Sequence, residues 1–167
     1  EPFVGQAGRL LDNMLAAAGL SRSGSGAESV FIANVLKCRP PGNRNPETGE
    51  VRECDPYLRR QIELVGPKLV LVMGRFAAQS LLGTDASIAS LRGRVLRIEV
   101  AGRSVPVVVT YHPAYLLRNL EDKAKSWADL CLAVVAERRG LRPAEAGGAR
   151  HQIDDAVLAP LCVRVER

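Results

Sequence analysis

The chain lacks any apolar run approaching the roughly 18 residues needed to cross a bilayer, and it shows no secretory leader with a basic start, an apolar middle and a cleavage site. Those absences set the expectation of a cytoplasmic protein with no membrane partner. An initiating Met is also lacking, since the chain opens on Glu1-Pro2-Phe3. Acidic charge is not in surplus: 23 Lys and Arg stand against 18 Asp and Glu, giving a net charge of +5 and a pI near 9.3. That balance favours a polyanionic partner without requiring one. The excess is concentrated, because Lys37, Arg39, Arg44, Arg92, Arg94, Arg97 and Arg118 lie in or beside the most informative segments. What the chain does have is length: 167 residues suit one domain able to bury roughly two thirds of its unfolded surface.

Apolar periodicity organises that length. Leu10, Leu11, Met14, Leu15 and Ala18 predict a helix from Gly8 to Gly19, and the Ser21 to Gly26 stretch reads as a flexible connection. Val30 to Val35 reads as a buried strand, Pro56 to Val65 as a helix and Leu69 to Met73 as a second buried strand. Phe76 to Leu82 is a short helix. Val95 to Val100 and Val105 to Thr110 are strands separated by a hairpin-like turn over Ala101-Gly102-Arg103-Ser104. A last helix runs from Glu121 to Arg138, with Trp127, Leu130, Cys131 and Val134 spaced to face a core. Strands alternating with helices imply an α/β fold, a three-layer α/β/α sandwich around a mainly parallel central sheet. The domain is expected to occupy residues 1–138, and residues 139–167 to form a Gly- and Ala-rich linker and an unassigned tail.

The segment Val107-Val108-Val109-Thr110-Tyr111-His112-Pro113-Ala114-Tyr115-Leu116-Leu117-Arg118 carries the most chemistry. Its strand puts His112 at a carboxyl end, where open α/β sheets bind ligands, and Pro113 ends the strand. Leu116 and Leu117 then fall on an expected exposed turn beside Arg118. Apolar wedges next to a basic residue are one way proteins unstack a duplex while holding its phosphates. By itself the segment reads equally well as an ordinary strand and turn.

A second segment breaks that tie: Phe31-Ile32-Ala33-Asn34-Val35-Leu36-Lys37-Cys38-Arg39-Pro40-Pro41-Gly42-Asn43-Arg44-Asn45-Pro46, followed by Glu53-Cys54-Asp55-Pro56-Tyr57-Leu58. Pro2-Phe3-Val4-Gly5-Gln6-Ala7-Gly8-Arg9-Leu10-Leu11 precedes it, and Met73-Gly74-Arg75-Phe76-Ala77-Ala78, Leu82-Gly83, Arg92-Gly93 and Lys125-Ser126-Trp127-Ala128-Asp129-Leu130 follow. In this order the segments resemble the iron-sulfur uracil-DNA glycosylases, usually called family 4, from residue 1 to about 137.

The resemblance implies a uracil-DNA glycosylase-like fold and a DNA repair hydrolase that flips uracil out of DNA and hydrolyses its N-glycosidic bond, initiating base excision repair. Phe3 matches the residue that stacks on the base, and Asn34 the one that reads it: an amide that donates and accepts suits the O4 and N3–H of uracil and mismatches cytosine. His112 matches the histidine that hydrogen-bonds O2 as negative charge develops there. Leu116 and Leu117 would fill the hole left by the flipped nucleotide, and Arg118 would grip phosphates. The implied partner is uracil-containing DNA, single- or double-stranded, bound by a monomer.

Four cysteines invite a four-thiolate cluster, yet Cys131 falls on an apolar helix face and Cys162 in the unmatched tail. Only Cys38 and Cys54, each preceding a proline-containing turn, match ligands of the family's 4Fe-4S cluster, which would clamp the loop between them. The family's other two ligands, a Cys-x-x-Cys pair, and its acidic Gly-Glu-x-Pro-Gly loop do not occur in this sequence. Both are expected upstream of Glu1. No carboxylate sits in a recognisable water-activating motif. Two alternatives stand beside turnover. One is a relative that traps uracil-DNA covalently through a histidine, which the matching stretch Leu91-Arg92-Gly93-Arg94-Val95 lacks. The other is a truncated domain that binds uracil-DNA without catalytic turnover.

Overall fold

The computed structural model describes residues 3–38 and 40–139. Among them run helices α1 (Gly5–Ala17) and α2 (Thr48–Val65), strand β1 (Val70–Met73), helices α3 (Arg75–Leu82) and α4 (Ile88–Leu91), strands β2 (Val95–Val100) and β3 (Arg103–Thr110), and helices α5 (Pro113–Leu116) and α6 (Lys123–Arg139). The linker and tail expected at 139–167, including Cys162, lie outside the described residues beyond Arg139, as do Glu1, Pro2 and Arg39.

The sheet has the order β1-β3-β2, with β3 in the centre. β1 pairs with β3 in parallel, from Val70 opposite Val107 to Met73 opposite Thr110, and β2 pairs with β3 antiparallel. Ala101 and Gly102, both with positive φ, make the tight β2–β3 turn, a geometry matched to strand twist. Because side chains alternate along a strand, β3 feeds two cores. Val105, Val107 and Val109 pack with Leu58, Ile62, Ala78, Leu81 and Leu91 of α2, α3 and α4 on one face. Val108 packs with Leu11, Leu15, Leu130 and Ala133 of α1 and α6 on the other. Burial on both faces explains the unbroken apolar run of β3, and helices on both sides make the three α/β/α layers.

Several local expectations are corrected. Val30 to Val35 forms no strand; a single bridge, Ser21 with Ser29, is the nearest pairing. The segment and β1 line the same cavity, and the described three-stranded sheet is mixed, with one parallel and one antiparallel pairing. α2 begins at Thr48 instead of Pro56. Glu47 and Glu50 form a reciprocal capping box there, and Arg44 grips Glu50 with two hydrogen bonds of 2.9 and 2.7 Å. This pairing with Arg44 holds the Glu50 carboxyl down at about 2. The helix passes through Pro56, forgoing one backbone bond, so Cys54 lies within a helix and not before a turn. On α6 the buried stripe is Ser126, Asp129, Leu130, Ala133 and Val134. Trp127 borders that stripe at 39% exposure, and Cys131 is half-buried; neither faces the core squarely.

Candidate active site

The parallel pair β1 and β3 brings two turns together at its carboxyl end. Gly74, just after β1, donates its N–H to the Thr110 carbonyl at 2.9 Å. It has φ +97°, and a Cβ built on it would stand 3.2 Å from Cβ of His112. Only glycine meets both demands without strain. His112 caps α5, with its Nδ1 accepting the Ala114 N–H at 3.1 Å, while Pro113 occupies the first helical position, where no N–H is needed. A ring nitrogen that accepts carries no hydrogen, so the neutral imidazole holds its proton on Nε2 and can donate from there. Burial lowers the His112 pKa from 6.5, which keeps the ring neutral near pH 7.

The Phe3 ring stacks on His112, with centroids 5.0 Å apart and planes 28° apart. Phe3 is itself pinned. Its backbone adopts φ +56°, its carbonyl presses on Gly8, where a Cβ would come within 2.2 Å, and Arg22 donates to that carbonyl at 3.3 Å. Arg22 also pairs with Asp12 on α1 at 2.6 Å, fastening the N-terminal segment to the helix.

Phe3 and His112 border a cavity of about 790 Å³ whose wall also includes Asn34, Lys37, Gly74 and Arg75. The structure thus brings Phe3, Asn34 and His112 to one cavity from distant points of the chain. Asn34 lies on an irregular segment rather than at a strand end, and its side-chain amide is exposed, without a hydrogen-bond partner among the described residues. Lys37 Nζ donates to the Asn34 carbonyl at 2.7 Å and to Gln61 Oε1 of α2 at 2.6 Å; burial pulls its pKa below 10.5. No Asp or Glu is among the described residues of the cavity wall.

The remaining expected site residues divide. Leu116 is 1% exposed because α5 packs against α1, which corrects its expected place on an exposed turn. A side chain committed to the interior cannot wedge into DNA without unpacking. Leu117, at 36% exposure, and Arg118 are the exposed members of the trio. Arg92, in contrast, is not free for a phosphate: its guanidinium clasps the fully buried Asp129 through bonds of 3.0 and 2.9 Å. Burial raises the Asp129 pKa, and Arg92 offsets part of that rise.

Cys38 and Cys54 come together on a second pocket of about 550 Å³, lined also by Leu36, Pro40, Glu50 and Glu53. Cys38 is exposed and Cys54 half-buried, both as free thiols, and the Lys37 N–H donates to Cys54 Sγ at 3.4 Å. N–H donation to sulfur and two thiols on one concave surface fit half of a four-thiolate site. Among the described residues no group of three or more His, Cys, Asp or Glu is placed to hold a metal, and no helix is long and apolar enough to cross a membrane.

Sequence reasoning missed Lys37, Gly74 and Arg22 as parts of this site. A glycine between a strand and a helix is a signal for close backbone approach, and Gly74 could have been found that way. The partners of Lys37 and Arg22 are tertiary and leave no local signature.

A family model described as the uracil DNA glycosylase superfamily matches residues 1–133. The chain is similar to a type-4 uracil-DNA glycosylase of Archaeoglobus fulgidus, 43% identical over 141 residues that cover 78% of this chain and 68% of the relative. It is likewise similar to type-4 uracil-DNA glycosylases of Sulfurisphaera tokodaii, at 42% identity covering 78% of this chain and 62% of the relative, and of Thermotoga maritima, at 38% covering 74% and 61%. The chain therefore spans about two thirds of the length of these relatives. By that match the chain belongs to the uracil DNA glycosylase superfamily and, within it, to the type-4 uracil-DNA glycosylases.

Proposed function

We propose that this domain excises uracil from DNA by hydrolysing the N-glycosidic bond of a nucleotide rotated into the cavity of about 790 Å³. The observation that carries the reading is the convergence of Phe3, Asn34 and His112 on that cavity, with His112 held as a neutral donor by its bond from the Ala114 N–H. An extruded base must be read through its Watson-Crick edge. The unpartnered Asn34 amide offers uracil an N–H for O4 and a carbonyl for N3–H. Phe3 supplies an aromatic face, worth about 1 to 3 kcal/mol per stacked base.

Bond cleavage leaves an oxocarbenium-like sugar and a uracil anion with charge on O2. A hydrogen bond from His112 Nε2–H to that oxygen strengthens as the charge develops, so it lowers the barrier more than it tightens ground-state binding. Water adds to the sugar, and the products are free uracil and an abasic site. No Asp or Glu lines the described cavity wall. Leu117 is the exposed wedge and Arg118 the phosphate contact. Cys38 and Cys54 would hold two corners of a 4Fe-4S cluster, which when bound supplies a structural clamp between the Leu36 to Cys38 segment and α2. The reading is of a monomeric cytoplasmic enzyme acting on uracil in single- or double-stranded DNA.

The test is release of free uracil from a uracil-containing oligonucleotide by this chain and by an upstream-extended version. Release by the extended protein supports the reading. Tight binding of uracil-DNA by both without release would favour a binding domain instead.

A further inference from the structure

Lys37 holds the segment that carries Asn34. Between Phe31 and Cys38 the described backbone belongs to no helix or strand, and the hydrogen bonds that tie this stretch to another element, among the described residues, are both made by Lys37. Its ammonium reaches Gln61 Oε1 at 2.6 Å, and its backbone N–H reaches Cys54 Sγ at 3.4 Å; both partners lie on α2. The same ammonium holds the Asn34 carbonyl at 2.7 Å. A lysine has three donors and no acceptor, so one ammonium can serve the Asn34 carbonyl and Gln61 together.

We propose that Lys37 is a positioning residue for uracil recognition, bridging the Asn34 backbone to Gln61 so that the Asn34 amide is held at a fixed place in the cavity. The inference rests on the reading that Asn34 meets the base. An irregular loop that must present one amide to an incoming base would otherwise sample many arrangements, and each unproductive one dilutes the binding-competent fraction. Lys37 shares the cavity with His112, yet its ammonium is engaged with protein acceptors. Its effect on the base is therefore indirect.

The experiment compares Lys37→Met, Gln61→Met, the double variant and Asn34→Asp in the upstream-extended protein. Two readouts are used: amide hydrogen exchange of residues 31–38, and KM and kcat on single-stranded uracil and cytosine oligonucleotides. Lys37→Met should speed exchange in that segment but not in α6, and should raise KM for uracil about ten-fold, the scale of one hydrogen bond to a charged group, with kcat changed far less. Gln61→Met should act in the same direction, and the double variant should be no worse than Lys37→Met, because both remove one bridge. Unchanged exchange or unchanged KM in Lys37→Met overturns the proposal. So does a loss seen only as a shallower salt dependence, which would make Lys37 a phosphate contact. If Asn34→Asp loses discrimination against cytosine while Lys37→Met behaves as the parent, the brace fails and the uracil reading stands. A parent that releases no uracil sinks that reading, and exchange alone then decides the brace.

Discussion

Leu116 and Leu117 are adjacent and chemically identical, yet one is buried and the other exposed. Leu116 is 1% exposed and Leu117 36%, so truncating each to alanine should damage different properties. Removing a buried leucine side chain costs the lost transfer energy plus the cavity it leaves, about 2 to 5 kcal/mol. Taking about 3 kcal/mol and a slope of roughly 2 to 4 °C per kcal/mol for a chain of this size, Leu116→Ala should lower Tm by roughly 6 to 12 °C. Leu117→Ala removes a side chain already in partial contact with water and should cost under about 1 kcal/mol. Its effect should fall on duplex substrates, where a wedge must offset a few kcal/mol of unstacking, and little on single-stranded uracil. Thermal melting read alongside single-turnover cleavage of single-stranded, U:A and U:G oligonucleotides separates the two. A Leu116→Ala protein that melts with the parent and loses only duplex cleavage would refute the assignment and return Leu116 to the DNA.

His112→Ala should slow single-turnover cleavage by a factor on the order of 10² to 10³ with little change in affinity, as for other donors to a developing oxyanion. Because burial holds its pKa below 6.5, the parent rate should stay flat from pH 8 down to about 6.5 and fall only on further acidification; a rate that climbs on acidification would point to the imidazolium instead. In the upstream-extended protein, Cys38→Ala or Cys54→Ala should abolish brown colour and bound iron, whereas Cys131→Ala should keep both; unchanged iron in either of the first two removes that residue from the ligand set. Arg92→Met should destabilise the fold by about 3 kcal/mol by leaving Asp129 buried and unpaired, and an added Asp129→Leu should recover part of the loss in denaturant melts; if Arg92→Met alone unfolds with the parent, the pair carries no such weight.

Legibility of the fold from sequence followed the physics of each segment. β3 was readable because a central strand buried on both faces must be apolar throughout, and Val107, Val108 and Val109 satisfy both cores. The same apolar signature at Val30 to Val35 misleads, since these side chains line a cavity wall rather than a ladder, and composition cannot distinguish the two. The start of α2 was hidden because its cap is Glu47, held by Glu50 and Arg44, where a short hydroxyl or Asx side chain is the usual signal. For the candidate site, motif order singled out His112 and Asn34, and both border the same cavity. The burial of Leu116 was not, because it depends on α5 meeting α1, a contact between segments some hundred residues apart in the chain.

The geometry also divides the chemistry between what this cavity supplies and what it does not. The donor at His112 is specified twice: a backbone amide occupies Nδ1, and burial disfavours a second proton. Protonating Nδ1 would set an N–H against the Ala114 N–H that it now accepts, so the fold itself opposes the imidazolium. A neutral donor at His112 and an Arg75 side chain without a partner among the described residues both border the cavity, and no Asp or Glu among those residues does. On the proposed reading both groups would stabilise negative charge, the charge that builds on a departing uracil, and neither would favour the cationic sugar. On the proposed reading the described wall would thus favour departure of the base, while the water that adds to the sugar would be oriented by a group of opposite character.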